Sequence, residues 1–243
     1  MSAPAFYPIF LREMLLFKRK LIRIGYLFSA MVVPVIYLVT FGLGLGRSVQ
    51  MNDTDYLSYL IPGLVAMSSM TNSYTWVASA LNLNRLYFKS FQILIQAPVP
   101  ASAVMVGEVL AGMVKGLFAA GLIIVVGHFS APYFSVTALL GIALLLNCFL
   151  FASLGVVTGM ITKTHEDTAT YNNFFILPMA FFSGTFFPIE KVPEIFRPVV
   201  WLFPLTHSNI VMRSHALDWK TAMSLVILVM YALLFFIVGE RLI

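Results

Sequence analysis

The chain has 243 residues, 60% of them hydrophobic and 10% charged, with a mean hydropathy of +0.92. Water-soluble domains carry about 25% charged residues, so this composition excludes a soluble enzyme or binding domain and indicates a polytopic membrane protein. The formal charge of +5 is therefore read loop by loop against a membrane, and not as a nucleic-acid-binding surface.

In the N-terminal segment (1–23), Phe6, Phe10, Met14, Phe17 and Leu21 recur at three- and four-residue steps. That spacing predicts a helix with one apolar stripe. Arg12, Arg19 and Arg23 fall largely off the stripe. Such a helix suits the membrane interface, apolar face down, with its basic residues near anionic headgroups. Its basic cluster follows the first apolar residues and no small-residue cleavage site appears, so it does not read as a cleavable signal.

Six spans are predicted, at residues 24–46, 57–82, 102–127, 136–161, 171–187 and 220–239. About 20 apolar residues cross a hydrocarbon core about 30 Å thick. One side carries Arg12, Lys18, Arg19, Lys20, Arg23, Arg85, Lys89, Lys163 and Arg241; the other carries Arg47, Lys191, Arg197, Arg213 and Lys220. The positive-inside bias then places both termini in the cytoplasm.

Span 1 ends in "GLGLG" (42–46), which lacks the preceding strand of a dinucleotide fingerprint and is discounted. Span 2 carries "SSMTNSYTW" (68–76), polar for mid-membrane. Its side chains either join helices by hydrogen bonds or face a pathway. After it, in the segment 84–100, Tyr87, Phe88, Phe91, Leu94 and Ile95 give a helix-like apolar pattern ended by Pro98 and Pro100. A short helix parallel to the membrane is expected. Its apolar residues fit either lipid or a groove on a cytoplasmic partner.

Span 3 contains Glu108 and Lys115. Seven residues make about 10.5 Å of helix, so both face the same way. Intramembrane ionisable groups commonly face a bundle interior or an aqueous cavity. A structural role, with partners on neighbouring helices or backbone carbonyls, is the competing reading, and Glu108 is near enough to the helix end to snorkel. Cys148 lies alone in an apolar run, so no intrachain disulfide is possible. Thr164 followed by Asp167 reads as a helix cap opening span 5.

The stretch "FFSGTFFPIEKVPEIF" (181–196) is punctuated by Gly184, Pro188 and Pro193. Irregular backbone is not tolerated against hydrocarbon, so the segment is covered by protein, lies among headgroups or lines water. "IFRPVVWLF" and "NIVMRSHAL" are each too short to span and fit re-entrant or interfacial half-helices. Glu190 and Lys191 then mark a turn at the water boundary. There is no GxxxxGK[ST] and no HExxH, and His207 and His215 lack metal-ligand spacing. No catalytic residue, metal or cofactor is assigned to this chain.

Three stretches together resemble the membrane subunit of type 2 ABC exporters, the ABC-2 permease family. They are "LIQAPVPASAVMVGEVL", "FFSGTFFPIEKVPEIFRPVVWLFPLTH" and "NIVMRSHAL". The second matches a family hallmark of Ser-Gly, Phe-Pro, a later Pro and then Pro-Leu-Thr. The resemblance implies an all-α polytopic membrane protein with six transmembrane helices. It adds an N-terminal interface helix, a cytoplasmic coupling helix, and an external re-entrant hairpin (188–219) between spans 5 and 6. It makes the whole of 1–243 a single permease domain.

The coupling helix would dock into a separate ATP-hydrolysing subunit, with Arg85, Tyr87, Phe88, Phe91, Gln92, Leu94 and Ile95 as contacts. The family often has an acidic residue where this chain has Gln92, which puts a salt bridge there in question. Spans 2 and 5 would line the path, through Met67, Thr71, Asn72 and Thr75 and through Phe175, Met179, Phe182 and Phe186. Gly184, Pro188, Pro193, Phe203 and Pro204 would form an external gate.

The implied assembly in a bacterial inner membrane is a homodimer with two ATPase subunits, where ATP and Mg²⁺ bind. The expected activity is export of an amphipathic, drug-like or lipid-like substrate by alternating access, with polysaccharide or glycolipid export left open. An ion-coupled transporter or channel using Glu108 and Lys115 is the alternative of another class.

Overall fold

A computed structural model describes residues 4–21, 32, 35–45, 55–131 and 134–243, and their regular structure is entirely helical. The elements are α1 (Tyr7–Leu21), a π-helical α2 (Leu38–Leu45), α3 (Tyr56–Leu86), α4 (Ser90–Gln96), α5 (Ala101–Ser130) and α6 (Ala138–Ile161). Then come α7 (His165–Tyr171), a π-helical stretch (Asn172–Ile176), α8 (Leu177–Phe182), α9 (Arg197–Leu202), α10 (Pro204–Arg213) and α11 (Trp219–Leu242). Of the first expected span, 24–46, residues 24–31, 33, 34 and 46 lie outside the described residues.

Among the described residues, α5, α6 and α11 are long and apolar enough to cross a membrane. At 31 residues α3 is longer, about 45 Å, but the polar run Ser68–Trp76 keeps it out of that group. It is the central element instead, packing extensively on α5 and α6, while α11 packs on α6. Small residues allow the close approach. A Cβ placed on Gly155 of α6 would stand 2.8 Å from the Tyr74 carbonyl oxygen of α3.

Local signals set the helix starts. Thr137 accepts from the Leu140 N–H at 3.1 Å and opens α6. Asp218 accepts from the Thr221 N–H at 2.8 Å and opens α11. Thr164 and Asp167 form the expected capping box of α7, which satisfies N-terminal N–H groups left without helical partners. The Lys163 and Thr164 backbone N–H groups hold the Asp167 carboxyl below its ordinary range.

The helical run through α7, the π stretch and α8 starts at His165 and ends at Phe182, not at 171 and 187 as expected. It stops where Gly184 takes φ +78°, a left-handed conformation that glycine adopts without a steric cost. The irregular stretch beyond is covered by protein. Tyr59 donates to the Gly184 carbonyl at 2.8 Å, Tyr56 to the Phe186 carbonyl at 2.8 Å, and Asn209 to the Ser183 carbonyl at 2.9 Å.

The chain then forms a helical hairpin. Short 3₁₀ turns at Ile189–Lys191 and Glu194–Phe196 lead into α9, and α10 follows after a break at Phe203. α10 starts at Pro204, earlier than the expected half-helix at Asn209. Proline suits a first helical position because its missing N–H has no helical acceptor there.

Candidate functional site

The hairpin, through Arg213, and the irregular stretch before it contact the beginning of α3 at Tyr56 and Tyr59, whereas α4 follows the end of α3. Two candidate functional regions therefore sit at opposite ends of one long helix.

At the α4 end, the apolar residues of the segment separate into two faces. Phe91 is buried in one apolar cluster with Leu81 and Val104, against which Leu94 and Val99 also pack. Tyr87 (65%), Phe88 (72%), Ile93 (72%) and Ile95 (52%) are exposed, and Gln92 is exposed beside them. Phe91, expected among the partner contacts, is thus the residue that fastens α4 to the bundle. Arg85 is also turned inward, donating to the Met160 and Thr162 carbonyls at the end of α6. Its neighbour Asn82 donates to the Thr162 hydroxyl at 2.9 Å and the Thr164 carbonyl at 3.0 Å. These bonds tie the end of α3 to the α6–α7 connection, so Arg85 positions α4 from within. Ile93, absent from the sequence-based set, joins the open face.

The charged pair of span 3 meets a second charged pair on α1. Arg12 donates to Glu108 at 2.9 Å and to Glu13 at 3.1 Å, and Lys115 donates to Glu13 at 2.8 Å. The sequence Glu108, Arg12, Glu13, Lys115 alternates in sign and sums to zero. The side chains of Glu13, Glu108 and Lys115 are 2–3% exposed, where an unpaired charge would be costly. Glu108 is therefore buried and paired, not snorkelling, and Lys115 is buried and paired likewise. The Trp76 ring lies beside the cluster, with the Lys20 Nζ 4.0 Å and the Lys115 Nζ 5.0 Å from its centroid.

This geometry changes the reading of α1. Its buried residues are Ile9, Glu13 and Phe17; of the expected stripe, Phe17 is buried while Phe6, Phe10, Met14 and Leu21 are only half-buried. Ile9 abuts Gly107 and Phe17 abuts Phe118, so contacts advance together along α1 and α5. Leu11, Leu15 and Leu16 face outward. The charged seam of α1 points into the protein and a leucine face points away. A flat interfacial helix would do the reverse.

The polar run of α3 divides in the same way. Asn147 of α6 donates to the Ser69 hydroxyl at 2.8 Å and the Ala66 carbonyl at 3.1 Å, and accepts from Ser208 of α10 at 2.7 Å. That network joins three helices. Thr71, Asn72 and Thr75 are only partly covered. Thr71 and Asn72 bond back to the Met67 and Ser68 carbonyls, both at 2.9 Å. Of the other expected lining residues, Phe175 and Phe182 are exposed, whereas Met67, Met179 and Phe186 belong to the core.

At the hairpin end, the last carbonyls of α9 are closed by side chains from α10 and α11. Thr206 donates to Val200 at 2.6 Å, the His207 Nε2 lies 3.0 Å from the Trp201 oxygen, and Tyr231 donates to Leu202 at 3.0 Å. Terminal helix carbonyls have no helical donors, so this fixes α9 to its neighbours. Arg213 donates to the Tyr59 and Thr185 carbonyls, both at 3.2 Å, and stacks 3.8 Å above the Tyr59 ring. Pro204 is buried and Phe203 half-buried, while Pro188 is partly covered and Pro193 exposed.

The ABC-2 type transporter family profile matches residues 5–217, which include α4, the buried charges and the hairpin. The chain belongs to the ABC-2 type transporter family. It is 28% identical over 185 residues to the inner membrane transport permease YadH of Escherichia coli K12, covering 74% of this chain and 72% of that protein. It is 30% identical over 189 residues to nodulation protein J of Rhizobium meliloti, covering 74% and 70%. Nodulation protein J of Rhizobium leguminosarum bv. viciae is 29% identical over 186 residues, covering 72% and 68%.

For an ABC-2 permease, the charged residue that sequence reasoning missed is Glu13. One signal could have found it. Arg12 and Glu13 are an adjacent pair of opposite charge, and Glu108 and Lys115 are a second such pair on one face of an apolar helix. Two neutral pairs of that kind can neutralise each other.

Proposed function

We propose that this ABC-2 permease is the membrane subunit of an ATP-driven exporter, working as a homodimer with two cytoplasmic ATPase subunits. The observation that carries the reading is the two-sided α4. A buried Phe91 anchors it, and Tyr87, Phe88, Ile93 and Ile95 present an open apolar face next to polar Gln92. A short amphipathic helix with that division suits a groove on a partner protein.

In this mechanism the ATPase subunits bind ATP and Mg²⁺, close, and push on α4. Arg85 and Asn82 pass the displacement into the α6–α7 connection, and α1 follows through its ion pairs with α5. The half-covered Thr71, Asn72 and Thr75 meet non-lipid neighbours across the two-fold axis, as polar side chains at mid-membrane require. Phe175 and Phe182, with the neighbouring Phe174, suit an amphipathic or lipid-like substrate. Both termini lie in the cytoplasm by the distribution of Lys and Arg, which places the hairpin on the outer side as an exit gate.

Glu108 and Lys115 each have a partner on α1, which favours a structural role over an ion pathway. The test is co-purification. Phe88→Asp is expected to lose the ATPase subunit while the permease keeps its melting temperature. Retention of the ATPase by Phe88→Asp would overturn the assignment of α4 as the docking helix.

A further inference from the structure

Between α8 and the hairpin lies a cleft of about 560 Å³. Ligand sites commonly occupy about 300–1,000 Å³. Val192 and Val200 are its buried residues, and Phe182, Phe196 and Val199 are partly open around them. Lys191 is the one charged residue lining it. No carboxylate pairs with Lys191 among the described residues. Glu194 pairs with Arg197 at 3.6 Å, and Glu190 lines a separate polar cleft beside Arg213.

We infer that this cleft seats one acyl chain of an anionic phospholipid, with the lipid phosphate held by the Lys191 ammonium. Three observations converge on that occupant. Ile195 (80%) and Leu202 (66%), the sequence neighbours of the lining residues Phe196 and Phe203, are exposed on the hairpin, an apolar surface from which a chain enters sideways out of the bilayer. The single cation sits at the Pro188–Pro193 turn, where the chain leaves its apolar run and a headgroup would lie. A lone ammonium without a carboxylate partner favours a phosphate monoanion over a zwitterionic headgroup, whose own cation opposes it.

The cleft shares Phe182 with the transport path of the preceding section, and lipid binding there is distinguished from transport by needing neither ATP nor the ATPase. The lipid clamps the hairpin against α8, holding shut the elements that Tyr231 and His207 tie to α11. The inference rests on the chain lying in a membrane and survives if the export reading fails.

The permease is reconstituted in nanodiscs containing a trace of diazirine-bearing phosphatidylglycerol or, in parallel, diazirine-bearing phosphatidylcholine, and labelled peptides are mapped. The anionic probe is expected to label residues 178–203 at least threefold more than the zwitterionic probe. Lys191→Gln, a surface change that leaves folding intact, should bring the two probes to parity. Val199→Trp, which fills the cleft, should reduce labelling by both, with α11 labelling as the folding control.

Equal labelling by both probes in the unaltered chain would overturn the inference in favour of ordinary boundary lipid. Labelling that appears only with ATP and the ATPase subunit would overturn it in favour of transported cargo. Disulfide cross-linking between two copies at Val199→Cys would show that a second permease covers the cleft, and would overturn it as well.

Discussion

The Lys115 Nζ lies 2.8 Å from a carboxylate oxygen of Glu13, 102 residues earlier in the chain, and both side chains are 2–3% exposed. This pair and the Arg12–Glu108 pair fasten α1 to α5. Removing one member of a buried ion pair strands the other and typically costs about 3–5 kcal/mol. Lys115→Ala and Glu13→Ala are each expected to lower the melting temperature of the purified permease sharply. The double variant Glu13→Leu with Lys115→Met should recover most of that loss, because an apolar pair of similar volume leaves no charge behind. Additive losses in the double variant would show that the two residues do not act as a pair.

Phe88 and Phe91 stand three residues apart and should fail in different ways. Phe91→Ala opens a cavity beneath α4, and burial of this kind is worth about 3–5 kcal/mol. Thermal melting should detect it whether or not the ATPase is present. Phe88→Asp changes a side chain that is 72% exposed and should leave melting unchanged while abolishing ATPase co-purification. Equal destabilisation by the two would contradict the two-faced description of α4.

Asn147 holds α3, α6 and α10 together through its amide. Asn147→Ala removes the partner of Ser69 and Ser208, both buried. An unsatisfied buried polar group costs about 1–3 kcal/mol. Reduced stability, with α10 becoming open to amide hydrogen exchange before α5 and α6, is the expected result. Uniform exchange across all helices would mean that α10 is held by other contacts.

The hairpin should be only partly accessible to membrane-impermeant thiol reagents. Single cysteines at Val200 and Leu205, which are 2% and 0% exposed, should react more slowly than one at Ile195, by on the order of tenfold. The native Cys148 is 0% exposed and contributes little background. Fast, uniform labelling from Phe196 to Leu205 would describe an ordinary loop.

Much of this arrangement was legible in the sequence because it rests on local chemistry. Thr164 and Asp167 announce a capping box, Gly184 announces a helix stop, and Pro98 and Pro100 bound α4. The polar run of α3 was visible as an oddity, and its side chains divide between bonds to other helices and bonds back to α3. Ser69 reaches Asn147, while Thr71 and Asn72 bond only to their own helix.

What remained hidden depends on partners distant in the chain. Nothing local distinguishes Phe91 from Phe88, because both fit a helical stripe and only the position of Leu81 and Val104 decides which is covered. Arg85 looked like a surface cation because its acceptors, the Met160 and Thr162 carbonyls, lie 75 and 77 residues away. The rotation of α1 was missed for the same reason, since an apolar stripe was the only periodic feature its own residues offered.

The wide separation of the α1 and α5 charges bears on how the permease is made. Chains emerge from the ribosome N-terminus first, at about 5–20 residues per second. With 102 residues between Glu13 and Lys115, α1 waits roughly 5–20 s before its partners are synthesised. During that interval Arg12 and Glu13 have only water and headgroups to solvate them. The stripe through Phe6, Phe10, Met14, Phe17 and Leu21 suits that waiting state, in which α1 rests on the membrane surface. On this view α1 rolls onto α5 once α5 has been synthesised. The sequence of α1 then serves two environments in succession, a lipid surface during synthesis and a charged seam in the finished bundle.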